Sequence, residues 1–331
     1  VPTRGRAAVA FSGGPLPLVV QPAVPGVELA AWAEGAREEI ARLLARHGAL
    51  LFRGFGVAGA GELERVCEAA GTDLYGDYGD LPREREAGRV YGTTPYPPDQ
   101  TILFHNESSH QHRFPRRLFF LCLVPAREGG ATSLLDGRRL LDTLEPAARE
   151  AFLRKGLRYT RTFTPGIDVS WQDFFRTKTH AGVTAACRRA RASHEWLPGG
   201  RLRVSQNAPA IARHPGTGER SFFNQIQLHH PSRLAPEVLE SLLQLMPKEE
   251  LPRNVTFGDG APISDDLVEQ ISVLSEDLAV DHAWREGDVL AIENLLVAHA
   301  RRPYAGDRRV LVAMGDMADA ADVAPPGARP S

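Results

Sequence analysis

A mainly β fold with helical additions, built on a sandwich or jelly-roll core, is what three features of this sequence predict. Apolar runs of strand length, such as those at 49–52 and 118–124, recur between turn signals rich in Gly, Pro and Asp. Runs this short fit strands rather than buried helices. Helical periodicity is confined to separate stretches that decorate the strands, and no internal repeat is present. At 331 residues a β core with attached helices still fits one unit, so a single domain over 1–331 is expected.

Taken in order, residues 34–47 carry apolar positions at helical spacing and stop at Gly48, a residue suited to the left-handed conformation that ends helices. A strand over 49–52 follows, then a turn at Arg53-Gly-Phe-Gly56 and a helix over 61–70. The stretch 75–100 is rich in Gly, Pro, Asp and Tyr and reads as loop. Strands are predicted over 102–107 and 118–124, the second buried because it is almost continuously apolar. Glu128-Gly-Gly130 is a turn, and another strand begins at 132–135.

Helices are expected over 145–154 and 236–245. Between them, residues 160–220 are mixed, with several Pro-Gly turns, which is the mark of a lid or binding element. Ser264 caps a helix running to 274, with Asp265 and Asp266 in its first turn. Strands at 288–292 and 309–315 close the chain, and a flexible Ala/Asp/Pro/Gly tail is expected over about 317–331.

Composition excludes several classes of function. A formal net charge of -2 gives no electrostatic footprint for nucleic acid or an anionic membrane. No apolar run reaches the length of a membrane span, and the first residues, Val1-Pro-Thr-Arg-Gly-Arg-Ala7, carry no signal-peptide pattern. Cys67, Cys122 and Cys187 are odd in number and far apart, which argues against a disulfide framework and for a reducing cytoplasm.

The chemistry-bearing residues are His105 and Glu107, in Thr101-Ile-Leu-Phe-His-Asn-Glu-Ser-Ser109, and the distant His299. On a strand, positions i and i+2 share a face, so His105 and Glu107 are expected to aim at one point while Asn106 turns away. A closing strand from the opposite side would add His299. Two imidazoles and a carboxylate on one face of an octahedron leave three open positions, which suits Fe(II), although Zn(II), Co(II) and Mn(II) tolerate the same donors. His-x-Glu alone is a weak signal. His110 and His112 offer a competing site with His105, but the polar run at Ser108-Ser109 reads as the end of the strand. His229 and His230 are adjacent, so on an extended strand they face opposite ways and cannot both ligate.

The match to a known family extends beyond the triad. Phe104-His-Asn-Glu107, Pro115, Phe119-Phe-Leu-Cys-Leu-Val-Pro-Ala126 and Gly129-Gly-Ala-Thr-Ser-Leu-Leu-Asp136 resemble the taurine dioxygenase (TauD/TfdA) superfamily, as do Trp284, Gly287-Asp-Val289, Asn294, His299 and Tyr304-Ala-Gly-Asp-Arg-Arg309. Ala49-Leu-Leu-Phe-Arg-Gly-Phe55, Pro215-Gly-Thr-Gly-Glu219, Phe223-Asn224 and Arg309-Val-Leu-Val-Ala-Met314 resemble its SyrP-like branch of amino-acid hydroxylases. The resemblance covers roughly residues 40–315.

It implies a double-stranded β-helix, Fe(II), and 2-oxoglutarate and O2 as cosubstrates. By the same resemblance His105, Glu107 and His299 are the iron ligands, Thr132 and Arg309 hold 2-oxoglutarate, and Thr101 and Ser108 contact substrate. Arg308 and Arg309 face opposite sides of a strand, so only one enters the barrel, and Arg309 shares its face with Leu311 and Ala313. Ala313 stands where taurine-using relatives place an Arg for the sulfonate, which argues against taurine. Glu107 argues against a halogenase, in which a small residue vacates that position. Glu293 stands where relatives commonly carry Asp. Asn224 lies on an apolar run and reads as a structural buried amide.

The expected activity is hydroxylation of an unactivated C–H bond in an amino acid or its derivative, free or tethered to a peptidyl carrier protein, in natural-product biosynthesis. Desaturation or cyclisation would use the same residues. A Zn(II) hydrolase would use the same three ligands with an activated water, but nothing in that chemistry requires Thr132 and Arg309. A non-catalytic barrel that binds a small acid has no need of the triad.

Overall fold

The computed structural model describes residues 9–14, 16–76, 85–93 and 95–328 of the protein. Along the strand Arg113–Val124, Leu118, Phe120 and Cys122 point into one apolar cluster, while Phe119 and Leu121 point into another. A strand covered on both faces reads as an unbroken apolar run rather than an alternation. This strand sits inside an eight-stranded sheet in the order Val9–Ser12, Leu18–Pro22, Ala49–Phe52, Val289–Glu293, Arg113–Val124, Arg309–Asp319, Val90–Gly92, Arg85–Ala87. The helices Leu29–Gly35, Arg37–His47 and Ala60–Ala69 cover one face, placing Trp32, Ile40 and Leu63 in the cluster that holds Phe52, Phe119 and Leu311.

The other face packs on a four-stranded sheet in the order Val280–His282, Thr132–Asp136, Val297–Arg301, Ile102–His105. Leu118, Phe120, Leu134, Val297, Val310 and Val312 fill the space between the two sheets. The expected jelly-roll core is present, with helices attached outside it.

Gly48 shows how tightly helix and barrel meet. It ends the helix Arg37–His47 at φ 78°, and its carbonyl accepts from Glu293 N at 2.8 Å. An added Cβ would collide with Val297 Cγ2, a side chain of the interior cluster. Gly48→Ala is therefore expected to destabilise the fold by about 2–4 kcal/mol, from backbone strain and overpacking together, measured by denaturant unfolding.

Several elements differ from the expectations. The stretch 75–100 is not all loop, because Arg85–Ala87 and Val90–Gly92 form the edge of the large sheet, with Val90 facing Ala313 across the ladder. Residues 77–84 and 94 of that stretch lie outside the described residues, as do 1–8, which hold the N-terminal segment expected to carry no signal peptide.

Residues 160–220 are ordered. The strands Leu157–Phe163, Ser193–Leu197 and Arg201–Ala208 join Arg253–Phe257 in a separate sheet. Helices Trp171–Phe175 and His180–Arg189 pack on it around Phe163, Val183, Cys187 and Leu202. Regular structure continues into the tail as far as 323, since the last strand runs to Asp319 and the turn of helix Ala320–Val323 follows. Ala320 and Val323 are buried against Phe114, Phe223 and Leu295, so small residues there plug a cluster rather than fray. The three cysteines are free and buried, and no helix among the described residues is long and apolar enough to cross a membrane.

Candidate active site

His105 and His299 are brought together by strand pairing. The strands Ile102–His105 and Val297–Arg301 are antiparallel neighbours in the small sheet, and His299 lies directly opposite His105. Their ring centroids are 4.3 Å apart. The second histidine thus arrives from the adjacent strand, not from an opposing one. His105 Nδ1 lies 2.8 Å from the carbonyl oxygen of Leu103, which can only accept, so Nδ1 carries the proton and Nε2 is left as the donor atom for a metal.

Glu107 reaches the same point by a different route from the strand-parity expectation. The strand ends at His105, and Glu107 sits in the turn that follows. Asn106 does not turn away to solvent, being 1% exposed. A network of buried amides holds this turn. Asn294 Oδ1 accepts from Glu107 N at 2.8 Å, and Asn294 Nδ2 donates to the carbonyls of Glu107 (3.0 Å) and Pro115 (2.8 Å). Asn106 Nδ2 donates to Asn294 O at 2.7 Å, and its Oδ1 accepts from Asn224 N at 3.1 Å. Gln225 Nε2 donates to Asn106 O at 3.0 Å. The Asn224 side chain accepts from Ile226 N at 3.0 Å through Oδ1, a structural role, as its place in an apolar run implied.

Asn294→Ala would leave the Glu107 N–H and C=O buried without these partners. It is expected to cost about 3–5 kcal/mol in stability and about 10–100-fold in metal affinity, read by unfolding and by metal titration.

One ligand atom from each of His105, Glu107 and His299 lies within 4.8 Å of the others, and Glu107 and His299 are each 8% exposed. Two neutral imidazoles and a carboxylate converging in a buried site fit a divalent cation. Among the described residues no other group of three or more His, Cys, Asp or Glu side chains converges in this way, so His110 and His112 form no competing site with His105. Those two histidines instead line the cavity that the triad faces. So does His229, which lies on the helix Ile226–His229 rather than on a strand. His230 is buried elsewhere, against Ser232 and Ile263 O.

The cavity measures about 610 Å³. Phe120 and Val310 line it beside the triad. Its walls include Tyr159, Phe163 and Gln206 from the inserted sheet, Phe174 and Phe175 from an inserted helix, and Thr132, Arg301 and Arg308 from the barrel end. Burial holds the Tyr159 phenol above its ordinary range, so it stays a neutral hydroxyl.

Thr132 lies where expected. It is 6% exposed, lines the cavity, and accepts a hydrogen bond from Trp284 Nε1 at 3.0 Å. Because the indole takes an oxygen lone pair, the hydroxyl proton is left to point elsewhere.

Arg309 is not brought to the site. It stands on the helix-covered face with Leu311 and Ala313, its side chain 56% exposed and paired with Glu86 at 2.6 Å. The parity argument was sound, but the barrel interior is on the face of Val310 and Val312, so the arginine that enters is Arg308. Ala313 for the same reason points away from the cavity.

Arg308 Nε donates to Gly130 O at 3.2 Å. Burial and then the nearby Arg301 guanidinium push it below its ordinary value, and no carboxylate among the described residues pairs with it. Arg301 is spoken for, since it donates to the carbonyls of Tyr96 (3.2 Å), Pro97 (2.6 Å) and Gln100 (2.7 Å) and so straps that segment across the barrel end.

Neither Thr101 nor Ser108 lines the cavity. Their neighbours Ile102 and Glu107 do, and Ser108 serves the turn with a positive φ of 55°. Glu293 also faces away, its carboxylate 3.4 Å from Arg116 and 3.7 Å from His214.

The family model for the taurine catabolism dioxygenase TauD, TfdA family matches residues 12–314. The chain belongs to this family. The relatives it resembles include the dapdiamide synthesis protein DdaC of Enterobacter agglomerans, 34% identical over 84% of each chain. A clavaminate synthase-like protein of Arabidopsis thaliana is 30% identical over 92% of this chain and 94% of its own. Among solved structures, PvcB of Pseudomonas aeruginosa superposes with a TM-score of 0.55 at 17% identity, over 93% of this chain and 91% of its own. AAD-2, solved with Mn(II) and N-oxalylglycine, gives 0.55 at 13% identity, over 94% and 99% of the two chains. These two likenesses establish the shared fold. As a TauD/TfdA protein the chain is an oxidoreductase of the Fe(II)/2-oxoglutarate-dependent dioxygenase class.

Proposed function

We propose that this dioxygenase hydroxylates an unactivated C–H bond of an amino-acid-derived small molecule, free or carried on a peptidyl carrier protein, in a natural-product pathway. The observation that carries the site assignment is the convergence of His105, Glu107 and His299 at one end of a large, partly apolar cavity. Support for the substrate class comes from DdaC, named for dapdiamide synthesis. Free, buried cysteines fit a reducing cytoplasm.

In this reading His105 Nε2, a Glu107 carboxylate oxygen and His299 hold iron. When bound, the iron and 2-oxoglutarate supply the activation of O2, with succinate and CO2 as coproducts. The chain's own residues do the rest. Arg308 and the Thr132 hydroxyl hold the distal carboxylate of 2-oxoglutarate, a charge-assisted pairing that relieves a buried and otherwise unmatched cation. Phe120 and Val310 keep the inner end dry. The inserted sheet and helix shape the outer half, where the substrate is oriented and its chosen C–H presented. Desaturation or ring closure would need only a different hold on the substrate.

Anaerobic addition of Fe(II) and then 2-oxoglutarate is expected to produce a visible charge-transfer absorption. Zn-dependent hydrolysis, or a barrel that only binds acids, predicts no such band. Incubating a panel of amino acids and their derivatives with O2, and looking for a gain of one oxygen by mass, then tests the substrate class.

A further inference from the structure

Two glutamines in the cavity wall have the orientation of their amides fixed. Gln206 Nε2 donates to Ala190 O at 2.8 Å, and Gln225 Nε2 donates to Asn106 O at 3.0 Å. A backbone carbonyl can only accept, so the nitrogen of each amide must face it and the oxygen must face the other way. Both residues line the cavity. Tyr159 ties them into one wall, since it pairs with Gln206 across the inserted sheet and its hydroxyl accepts from Gln225 N at 2.8 Å. No hydrogen bond reaches either carbonyl oxygen among the described residues, so two cavity-lining amides with their nitrogens already committed can offer an accepting edge to N–H or O–H donors.

Charge decides which donor. Among the described residues the cavity lining carries four arginines, Arg161, Arg253, Arg301 and Arg308, and one carboxylate, that of Glu107 in the triad. Arg161 is balanced by Asp168 at 2.9 Å, and the balance of the lining remains positive. An ammonium group brought in here would be desolvated near like charges, with no carboxylate beyond the triad's among the described lining residues to receive it, whereas a neutral N–H needs only an acceptor.

We propose that Gln206 and Gln225 are specificity-determining residues that select a neutral N–H donor, so that the substrate is an acylated amine, an amide, rather than an amino acid with a free ammonium group. This rests on the dioxygenase reading above and narrows its substrate class.

The test is calorimetric titration of the full chain, loaded anaerobically with Mn(II) and 2-oxoglutarate. The probes are L-alanine, L-leucine and L-phenylalanine, their N-acetyl derivatives, and the O-acetyl esters of the matching 2-hydroxy acids, which lack the N–H. The N-acetyl amides are expected to bind about tenfold more tightly than either comparison set. Gln206→Leu should erase the amide-over-ester preference. Gln206→Glu should shift preference toward the free amines by about tenfold or more, because it adds the missing carboxylate; this gain does not depend on loss of fold.

Free amino acids binding as tightly as their amides, esters matching amides, or an unchanged order in Gln206→Glu would overturn the proposal. Failure of Mn(II) and 2-oxoglutarate to bind at all would instead count against the triad. The amide preference is read in metal-free protein as well, because neither glutamine is among the metal ligands.

Discussion

His299→Ala is expected to abolish the absorption that forms when Fe(II) and 2-oxoglutarate are added without oxygen. Turnover should fall by more than about 100-fold, beyond what loss of an outer partner of a ligand produces. Among the described residues His299 is one of only three side chains that converge on the proposed metal position, and the strand that carries it presents no second ligating side chain to the same point. The neighbours Ala298 and Ala300 show that this strand accepts alanine, so the fold should survive. Thermal unfolding of the metal-free variant close to that of the metal-free parent checks this. An undiminished band in His299→Ala would remove the residue from the metal site, whatever the fate of activity.

The paired arginines give the second large effect and the sharper contrast. Arg308→Leu is expected to weaken 2-oxoglutarate binding by about 100-fold, the scale of losing one partner of a desolvated charge pair. Arg308→Lys should recover part of this, since a point charge replaces a planar fork. Arg309→Leu should change 2-oxoglutarate affinity less than about twofold, because its pairing with Glu86 is exposed and such pairs contribute about 0–1 kcal/mol. Titrating 2-oxoglutarate against each iron-loaded variant, following the same absorption, decides between them. Equal losses in the two variants, or a larger loss in Arg309→Leu, would reverse the assignment of faces.

The paired arginines also mark where reading the sequence ran out. Strand parity separated Arg308 from Arg309, but Val310 and Val312 on one face and Leu311 and Ala313 on the other are all apolar. A sheet covered on both sides gives no alternation to say which face is the interior. Spacing paired His105 with Glu107, yet placed Glu107 on the strand, because the turn is fixed by the Asn294 side chain and the Asn224 backbone, both far off in the chain, whose convergence no local pattern reveals. The barrel strands announced themselves by apolar runs. The edge strands Arg85–Ala87 and Val90–Gly92 did not, being three residues each within a Gly- and Pro-rich stretch. The helix Ala320–Val323 was hidden by composition, since alanines that fill a small gap look like alanines in a loose tail. Gln206 and Gln225 carried no signal at all; what distinguishes them is the direction of an amide, a property of neighbours rather than of sequence.

The outer part of the inserted region, finally, has its own apolar centre in Phe163, Val183, Cys187 and Leu202, whereas Leu157, Tyr159, Val255 and Phe257 of the same sheet share a cluster with Phe104, Leu135, Ala298 and Ala300 of the barrel. Substitutions confined to the outer centre should leave the small barrel sheet in place, while exchange of the whole sheet would cut into the packing of the strand that carries His299.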